Sequence, residues 1–356
     1  MKCIIVDFVS ISFTKFKVHG GGDFALRAIE YLISKQKKFF IINNTTDFFK
    51  DYSSNNTDDI RKEIEKEKFT EIYYFNPLYQ GGDENTFVYK TKFFYIHGLR
   101  MLEMPYDSTS YRYFKFPENI KTWIKSRLLK SYYGRTGQNI LESVEKANGV
   151  KTILTPSEHS KYMMKSAYKS KIPIEVLPPF LHTKDELSQE QLPTSKDYIL
   201  FLNGDRWVKN SYRFLKAFAS LKHQDELENL DLVMIGKPSF SDNFSNSSII
   251  YLDYVDRPFL EKLMKNCFFL AYPSLNEGFG YPPLDVFKYG KPVLSTALSS
   301  PNILYNGQVV FTNPYSVDEI KSRILYLLDN YNQFIEGEKY YHKMVELIEN
   351  KWSQIF

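Results

Sequence analysis

Two carboxylates and two glycines lie close together in residues 271–296, AYPSLNEGFGYPPLDVFKYGKPVLST. Glu277 precedes Gly278 and Gly280, and Asp285 follows Glu277 by eight positions, in the predicted first turn of a helix opened by two prolines. Glycines let backbone N–H groups approach a ligand closely, and a helix N-terminus favours a diphosphate. A carboxylate beside it can accept hydrogen bonds from vicinal hydroxyls. The stretch predicts a site for a ligand with both groups; the alternative is an ordinary strand–loop–helix junction with a surface glutamate.

Two cations follow a second apolar stretch, in residues 198–218, YILFLNGDRWVKNSYRFLKAF. Its strand is predicted to end near Leu202, which leaves Arg206 and Lys209 in the loop before the next helix. Arginine can bind phosphate oxygens with two N–H groups, and lysine adds a compact charge. Fixed cations ease the breaking of a sugar–phosphate bond because they meet the charge that builds on the departing diphosphate. The alternative is a solvated pair at a helix start.

Short apolar stretches alternate with longer amphipathic ones, which predicts an α/β fold with mainly parallel sheets. The predicted strands are residues 3–9, 38–43, 71–75, 92–98, 151–157, 198–204, 230–236, 248–254, 267–273 and 291–296. The predicted helices include residues 25–36, 120–130, 211–221, 257–266 and 333–356. Open parallel sheets bind ligands beyond the carboxyl ends of their strands, where both loops described above would lie.

Size and composition indicate two globular domains. A chain of 356 residues exceeds the size at which one core grows efficiently, and 43% hydrophobic and 25% charged residues are typical of globular proteins. The net charge of +4 is too small to indicate a nucleic-acid partner. Cys3 and Cys267 have no metal or disulfide spacing, which suggests a reducing compartment. No signal peptide or bilayer-spanning stretch is visible, so we expect a cytoplasmic protein.

Three elements of the first half could add to the site. Residues 20–22 are glycines in a predicted loop that opens a helix. His97 stands at the end of a predicted strand, where it could reach a ligand, although a lone histidine there is usually structural. Ser157 and Ser160 are expected to cap a helix, a structural role.

The stretch around Glu277 resembles the donor-site signature of the retaining GT-B glycosyltransferases of family 4, Glu-x7-Glu in a PS-x-x-EGFG-x-P context. Residues 206–210 resemble the Arg…Lys-Asn element of that family, and HGGGDFALRAIEYL, FFYIHGLRMLEMPYD and TILTPSEHSKYMMK resemble three of its N-terminal elements. The resemblance implies two Rossmann-like, doubly wound domains that face each other across a cleft. Residues 1–180 would form the acceptor-side domain, 181–196 a linker and 197–332 the nucleotide-sugar domain, with helix 333–356 crossing back to the first.

The same resemblance implies a hexosyltransferase that moves a sugar, with retention at the anomeric carbon, from a UDP- or GDP-sugar to a glycan or lipid-linked glycan acceptor. Bacterial surface polysaccharide synthesis would be its setting. The donor's own phosphate oxygen would take the acceptor proton, so no protein nucleophile is required. The implied catalytic residues are His97, Arg206, Lys209 and Glu277. The implied donor-binding residues are Gly21, Gly22, Gly204, Arg206, Lys209, Gly278, Phe279, Gly280, Tyr281 and Asp285.

Glu277 would hydrogen-bond the transferred sugar, and Asp285 would hold the ribose. No cofactor and no metal ion are expected, because the sequence lacks the Asp-x-Asp motif of the other major glycosyltransferase fold. Two departures from the family pattern are Asp285 in place of glutamate and Gly98 in place of aspartate. They leave room for a non-catalytic partner subunit that binds a nucleotide sugar. A nucleotide-sugar epimerase, which can share this architecture, is the other alternative.

Residues 105–135 form a basic segment, with seven basic and two acidic side chains. Aromatic and aliphatic residues interleave with its cations, as in segments that rest on an anionic membrane. The segment therefore suggests peripheral contact with the inner face of the cell membrane. The alternative is a solvated helix that packs one apolar face on its own domain. The interleaved residues are Lys121, Trp123, Ile124, Lys125, Arg127, Leu128, Lys130, Tyr132 and Tyr133.

Overall fold

A computed structural model describes residues 2–9, 20–46, 49–54, 56–78, 87–104, 106–128, 130–168, 171–181, 187–244, 246–305 and 307–356. Its strands are β1 (Lys2–Asp7), β2 (Phe39–Ile42), β3 (Glu71–Asn76), β4 (Thr91–Tyr95), β5 (Lys151–Thr155), β6 (Ile174–Val176), β7 (Asp197–Phe201), β8 (Leu230–Ile235), β9 (Ile249–Leu252), β10 (Phe269–Tyr272), β11 (Val293–Thr296) and β12 (Val310–Thr312). Its helices are α1 (Gly20–Ser34), α2 (Thr57–Lys66), α3 (Arg100–Glu103), α4 (Glu118–Leu128), α5 (Lys130–Lys146), α6 (Glu158–Ala167), α7 (Ser211–His223), α8 (Arg257–Asn266), α9 (Tyr281–Phe287), α10 (Ser299–Leu304), α11 (Val317–Asp329) and α12 (Gly337–Ile355).

The chain divides into two compact units. The first contains residues 1–99, 135–182 and 348–356, and the second contains residues 100–134 and 183–347. Strands such as IIVD in β1 and LDLVMI in β8 are buried along almost their whole length, because helices cover both faces of a parallel sheet.

The first unit is built on a six-stranded sheet in the order β2-β1-β3-β4-β5-β6, with every pair parallel. Its core is aromatic, and Phe24 stacks on Tyr95 with ring centroids 3.7 Å apart. Trp352 at the end of α12 is fully buried against this core and donates to the carbonyl of Pro178 at 2.8 Å. Burial of this indole explains why the last nine residues of the chain belong to the first unit.

The second unit has a six-stranded sheet in the order β12-β11-β10-β7-β8-β9, again parallel throughout. β7 and β10 are neighbours although Phe269, the first residue of β10, comes 68 positions after Phe201, the last residue of β7. The loops that follow these two strands therefore leave the same edge of the sheet side by side. These are the loops that contain Lys209 and Glu277.

The structure can be compared with the predicted elements one by one. The three-residue strands β6 and β12 were not predicted, because so short a stretch has no readable alternation. The helix predicted at residues 120–130 is described as α4 and the start of α5, and residue 129 between them lies outside the described residues. The predicted final helix begins at Gly337 rather than near residue 333, because residues 331–334 form a 3-10 turn.

Residues 100–134 belong to the second unit, although the domain boundaries expected from the sequence placed them in the first. The physical reason is a set of buried polar contacts. Asp107 accepts two hydrogen bonds from the Arg213 guanidinium, at 3.0 and 3.1 Å. The Tyr113 hydroxyl accepts from the backbone N–H of Tyr212 at 2.8 Å. Residue spacing along the sequence contains no sign of these long-range pairs.

Candidate functional site

The loop after β7 and the loop after β10 are joined directly by hydrogen bonds. Leu275 donates its backbone N–H to the carbonyl of Val208 at 2.7 Å. Asn210 adopts a left-handed conformation, with φ +65°, and its side-chain amide donates to the carbonyl of Pro273 at 3.2 Å. The same amide nitrogen donates to the carbonyl of Pro314 at 2.7 Å. One asparagine therefore fixes the backbone beside Lys209 against the Glu277 loop.

Lys209 and Glu277 form a buried ion pair. Lys209 Nζ lies 2.6 Å from Glu277 Oε1 and 3.2 Å from the Tyr272 hydroxyl, and it sits 4.8 Å from the centroid of the Tyr272 ring. Lys209 is 7% exposed. Because little water reaches the pair, its charges act in a medium of lower dielectric constant than the surface.

The pKa values of the pair follow from this burial. Burial alone would raise the pKa of Glu277, but the Lys209 charge and hydrogen bonds from Lys209 and Tyr272 hold it below the usual value. Burial lowers the pKa of Lys209, and the Glu277 charge opposes that change. The result is an ionised carboxylate, which can only accept hydrogen bonds, beside a cation.

The backbone of Glu277 is held by α10. The Ser299 hydroxyl accepts from the Glu277 N–H at 2.9 Å, and the Ser300 N–H donates to the Glu277 carbonyl at 3.4 Å. Ser299 adopts a left-handed φ of +52°, which is uncommon for a residue other than glycine. Both backbone polar groups of Glu277, its N–H and its carbonyl, are thus fixed, and they position its carboxylate.

The predicted donor-binding glycines differ in environment. A Cβ at Gly204 would lie 2.5 Å from Met234 Sδ and 2.7 Å from the carbonyl oxygen of Gly236, so close packing explains this glycine. Gly280 immediately precedes the first residue of α9. Its φ of +93° is a backbone conformation that residues other than glycine rarely adopt. Gly278 is half-buried.

Two aromatic residues flank Gly280. The Phe279 side chain is buried, which leaves its backbone as the part available to a ligand. Tyr281 is half-buried and meets the Phe279 ring edge-on, at 5.7 Å between centroids.

Asp285 is buried in the second turn of α9 rather than in its first, because the helix begins at Tyr281. Arg257 Nη1 lies 3.5 Å from Asp285 Oδ2, and the same guanidinium forms an ion pair with Glu261. Sequence reasoning missed Arg257, which is 28 residues from Asp285 and follows a different strand.

Arg206 is exposed and lies before the 3-10 turn that contains Lys209. A second arginine, Arg100, comes near this group from α3 and interacts electrostatically with Arg206, Lys209 and Glu277. Sequence reasoning also missed Arg100, and no local signal could have indicated it, because only the folded second unit brings it beside the β7 loop.

The predicted residues of the first half lie in the first unit. His97 Nε2 donates to the carbonyl of Pro77 at 2.9 Å, and its ring packs against both Phe24 and Tyr95. Burial lowers the pKa of His97 to about 4, so the imidazole is neutral at pH 7, with Nδ1 as its acceptor. Its predicted role with the transferred sugar stays a prediction.

The glycines at residues 20–22 form the first turn of α1 rather than a preceding loop, and His19 lies outside the described residues. Gly21 and Gly22 therefore stay predicted donor contacts that depend on backbone groups alone. Ser157 caps α6 by accepting from the Ser160 N–H at 3.2 Å, as predicted.

The described part of the chain contains neither a metal-binding cluster nor a membrane-spanning helix. No group of three or more histidine, cysteine, aspartate or glutamate residues there could hold a metal ion. No described helix combines the length and the apolar composition that crossing a membrane requires.

Residues 183–350 match the family model described as Glycosyl transferases group 1. The alpha-1,3/1,6-mannosyltransferase ALG2 of Kluyveromyces lactis is 28% identical over 163 residues, which are 43% of this chain and 30% of that protein. The serotype-specific mannosyltransferase WbdA of Escherichia coli is 27% identical over 101 residues, 28% of this chain and 12% of that protein. The chain thus spans less than a third of the length of these curated relatives.

Solved structures resemble the whole chain. Sucrose-phosphate synthase from Thermosynechococcus elongatus superposes with a TM-score of 0.69 at 11% identity, over 100% of this chain and 98% of that chain. HepE from Anabaena, in complex with UDP and glucose, superposes with a TM-score of 0.63 at 12% identity, over 100% and 99%. These likenesses confirm the predicted fold class, α/β of the GT-B type with two doubly wound parallel sheets.

Proposed function

Because residues 183–350 match the family model described as Glycosyl transferases group 1, we propose that this chain is a hexosyltransferase that moves a sugar from a nucleotide-sugar donor to a glycan acceptor. The observation that carries the proposal is the buried ion pair of Lys209 and Glu277, 2.6 Å apart at the carboxyl ends of two neighbouring strands. Ligands of open parallel sheets bind at this edge.

Arg206 and Lys209 are assigned to the donor diphosphate. As the sugar leaves, negative charge builds on the diphosphate, and cations that are already in place stabilise it without having to reorient. Lys209 suits this step because burial has removed most of its water and Asn210 fixes the adjacent backbone. Arg206 is exposed, so it can bind a phosphate from the solvent side.

Glu277 is assigned to the hydroxyls of the transferred sugar. Its lowered pKa keeps it an acceptor at neutral pH, which suits hydroxyl donors. Asp285 is assigned to the ribose, with Arg257 as the group that orients its shorter side chain. The structure of the ion pair also implies that Lys209 is shared between Glu277 and phosphate when a donor binds.

The finer assignments are proposals that rest on family resemblance and on the names of the relatives. The sugar is transferred with retention, with the donor's phosphate oxygen as proton acceptor, and the cations act without a metal ion. Both curated relatives are mannosyltransferases, which favours a mannosyl donor among the UDP- and GDP-sugars. A glycan or lipid-linked glycan acceptor, in bacterial surface polysaccharide synthesis, is the corresponding setting.

The test is a donor screen followed by turnover. A true donor should raise the melting temperature of the protein, because it binds the folded state. The protein is then incubated with that UDP- or GDP-sugar, with and without glycan acceptors, and nucleoside diphosphate and sugar products are measured. Acceptor-dependent release of diphosphate supports a transferase, an altered sugar still attached to nucleotide supports the epimerase, and binding without turnover supports the non-catalytic alternative.

We also propose that the second unit rests on an anionic membrane through a surface formed by residues 114–125. Five large apolar side chains are exposed there, led by Phe116 at 77%. Lys115, Lys121 and Lys125 are exposed among them. Apolar side chains that can enter the headgroup region, beside cations that attract anionic lipid, fit a peripheral membrane surface. The apolar side chains are Phe114, Phe116, Ile120, Trp123 and Ile124.

Co-sedimentation with vesicles tests this surface. We expect binding to vesicles with anionic lipid, weaker binding to neutral phosphatidylcholine vesicles, and loss of binding in Lys121→Glu/Lys125→Glu. The matched control is Lys62→Glu/Lys66→Glu, which makes the same charge change on the exposed face of α2. Equal binding by both double variants would refute the surface.

A further inference from the structure

The segment that contains Arg100 is fastened to the loops of the candidate site at several points. Glu103 accepts a hydrogen bond from the Asn276 amide, next to Glu277 in the sequence. Tyr106 stacks on Trp207 with ring centroids 6.5 Å apart. Asp107 forms its two-pronged pair with Arg213, whose guanidinium also donates to the Asn210 side chain at 3.0 Å. Glu103, Tyr106 and Asp107 therefore hold this segment against the loops of the site.

Arg100 itself is half-buried above the β7 loop. Its guanidinium carbon lies 5.4 Å from the centroid of the Trp207 ring, two residues before Lys209. Burial lowers the pKa of Arg100, the charge of Arg206 lowers it further, and the charge of Glu277 raises it. A guanidinium stacked on an aromatic ring keeps its N–H edge available for an anion.

Three cations lie close to one another beside Glu277. Arg100, Arg206 and Lys209 interact electrostatically, and Lys209 is the cation that forms the ion pair with Glu277. No carboxylate among the described residues forms an ion pair with Arg100 or Arg206. Cations this close repel one another, and a bound diphosphate would relieve that repulsion because it is an anion.

We propose that Arg100 is a third cation of this site and binds the diphosphate of the donor nucleotide together with Arg206 and Lys209. The inference rests on the proposed function and adds a residue that the donor-site motifs of the sequence do not include. Arg100 acts directly on the phosphate oxygens, and Trp207 holds its guanidinium in place.

Calorimetric titration of the whole chain with inorganic pyrophosphate, UDP and GDP tests the proposal. Arg100→Gln should bind pyrophosphate at least about tenfold more weakly than the wild type, and the same loss is expected for the nucleotide that the wild type prefers. Arg100→Lys should recover part of this loss. Arg112→Gln is the matched control, because Arg112 lies in the same segment and is also stacked on an aromatic ring, that of Tyr212 at 4.6 Å. It should bind like the wild type.

The outcomes separate this inference from the proposed function. The melting curve first shows whether Arg100→Gln is folded. If the folded variant binds a nucleoside diphosphate as tightly as the wild type does, the role of Arg100 is refuted and the proposed function stands. If the wild type binds neither nucleotide nor pyrophosphate, both are refuted. If Arg100→Gln does not fold, Arg100→Ala/Trp207→Phe gives the comparison, and wild-type affinity in that folded variant rejects the proposal.

Discussion

Lys209 and Glu277 stabilise each other within the second unit, and removing either side chain should destabilise the folded protein. Removing one partner of a buried pair leaves an uncompensated charge, at a cost of about 3–5 kcal/mol. We expect Lys209→Met and Glu277→Gln each to lower the free energy of unfolding measured in urea. The double variant should lose clearly less than the sum of the two single losses.

Additive losses would contradict this account of the pair. Lys216→Met is a suitable control, because Lys216 is exposed on α7 and also lies over a tyrosine ring, at 5.1 Å from the Tyr212 centroid. It should change the free energy of unfolding little.

His97 predicts a pH dependence of stability. Its pKa is 6.5 in an unfolded chain and about 4 in the folded protein, because burial disfavours the imidazolium. As pH falls from 6.5 to 4, the unfolded state binds a proton that the folded state does not, so stability falls in that window and His97 adds no further change below it. Unfolding measured across this window should show a shallower loss in His97→Gln.

The exposed histidine of α12 provides the comparison. His342 lies 3.7 Å from Glu338 and is 70% exposed, so His342→Gln should not flatten the profile. An NMR titration that places the midpoint of His97 near 6.5 would contradict the prediction directly.

At the scale of elements, Gly204 shows how closely the ends of β7 and β8 pack. An added methyl group would meet both Met234 and the backbone of Gly236, and the backbone contact cannot move away easily. We expect Gly204→Ala to destabilise the protein by about 1–3 kcal/mol. Gly307→Ala is the control, because open space surrounds Gly307 and only its φ of +79° resists the change. If chemical denaturation finds Gly204→Ala no worse than Gly307→Ala, close packing does not explain Gly204.

Much of this element-level arrangement was readable from the sequence. Apolar stretches such as YILFL and CFFLAY identified β7 and β10, and the prolines after Gly280 identified the start of α9. Strand order was not readable, because pairing of β7 with β10 depends on the whole sheet. The contacts of Asn210 with Pro273 and Pro314 depend on that order, so they were equally hidden.

At the scale of the whole molecule, the segment 100–134 is the main difference from the sequence-based boundaries. Its assignment to the second unit depends on buried polar partners such as Asp107 and Arg213, which are 106 residues apart. Arg100 and the exposed surface of residues 114–125 both lie in this segment. The path of the chain therefore connects the candidate donor site and the candidate membrane surface in one unit.

Loosening this segment should have a measurable consequence. Asp107→Ala removes both acceptors of the Arg213 guanidinium and leaves that buried cation without its anion. We expect limited trypsin digestion to cut faster after Arg112, Lys115, Lys121 and Lys125, and affinity for nucleoside diphosphate to fall because Arg100 is less well held. Asp318→Ala, which removes an exposed carboxylate paired with Lys321, should match the wild type. Equal digestion of both variants would show that the Asp107–Arg213 pair does not hold the segment.

The most direct test of the central claim, that a buried cation stabilises a departing diphosphate, is the steady-state rate of nucleoside diphosphate release from the identified donor. We predict that Lys209→Ala lowers this rate by at least about 100-fold, because a preorganised charge at the leaving group is lost, while Lys216→Ala keeps the wild-type rate. A folded Lys209→Ala protein that releases diphosphate as fast as the wild type would contradict the account.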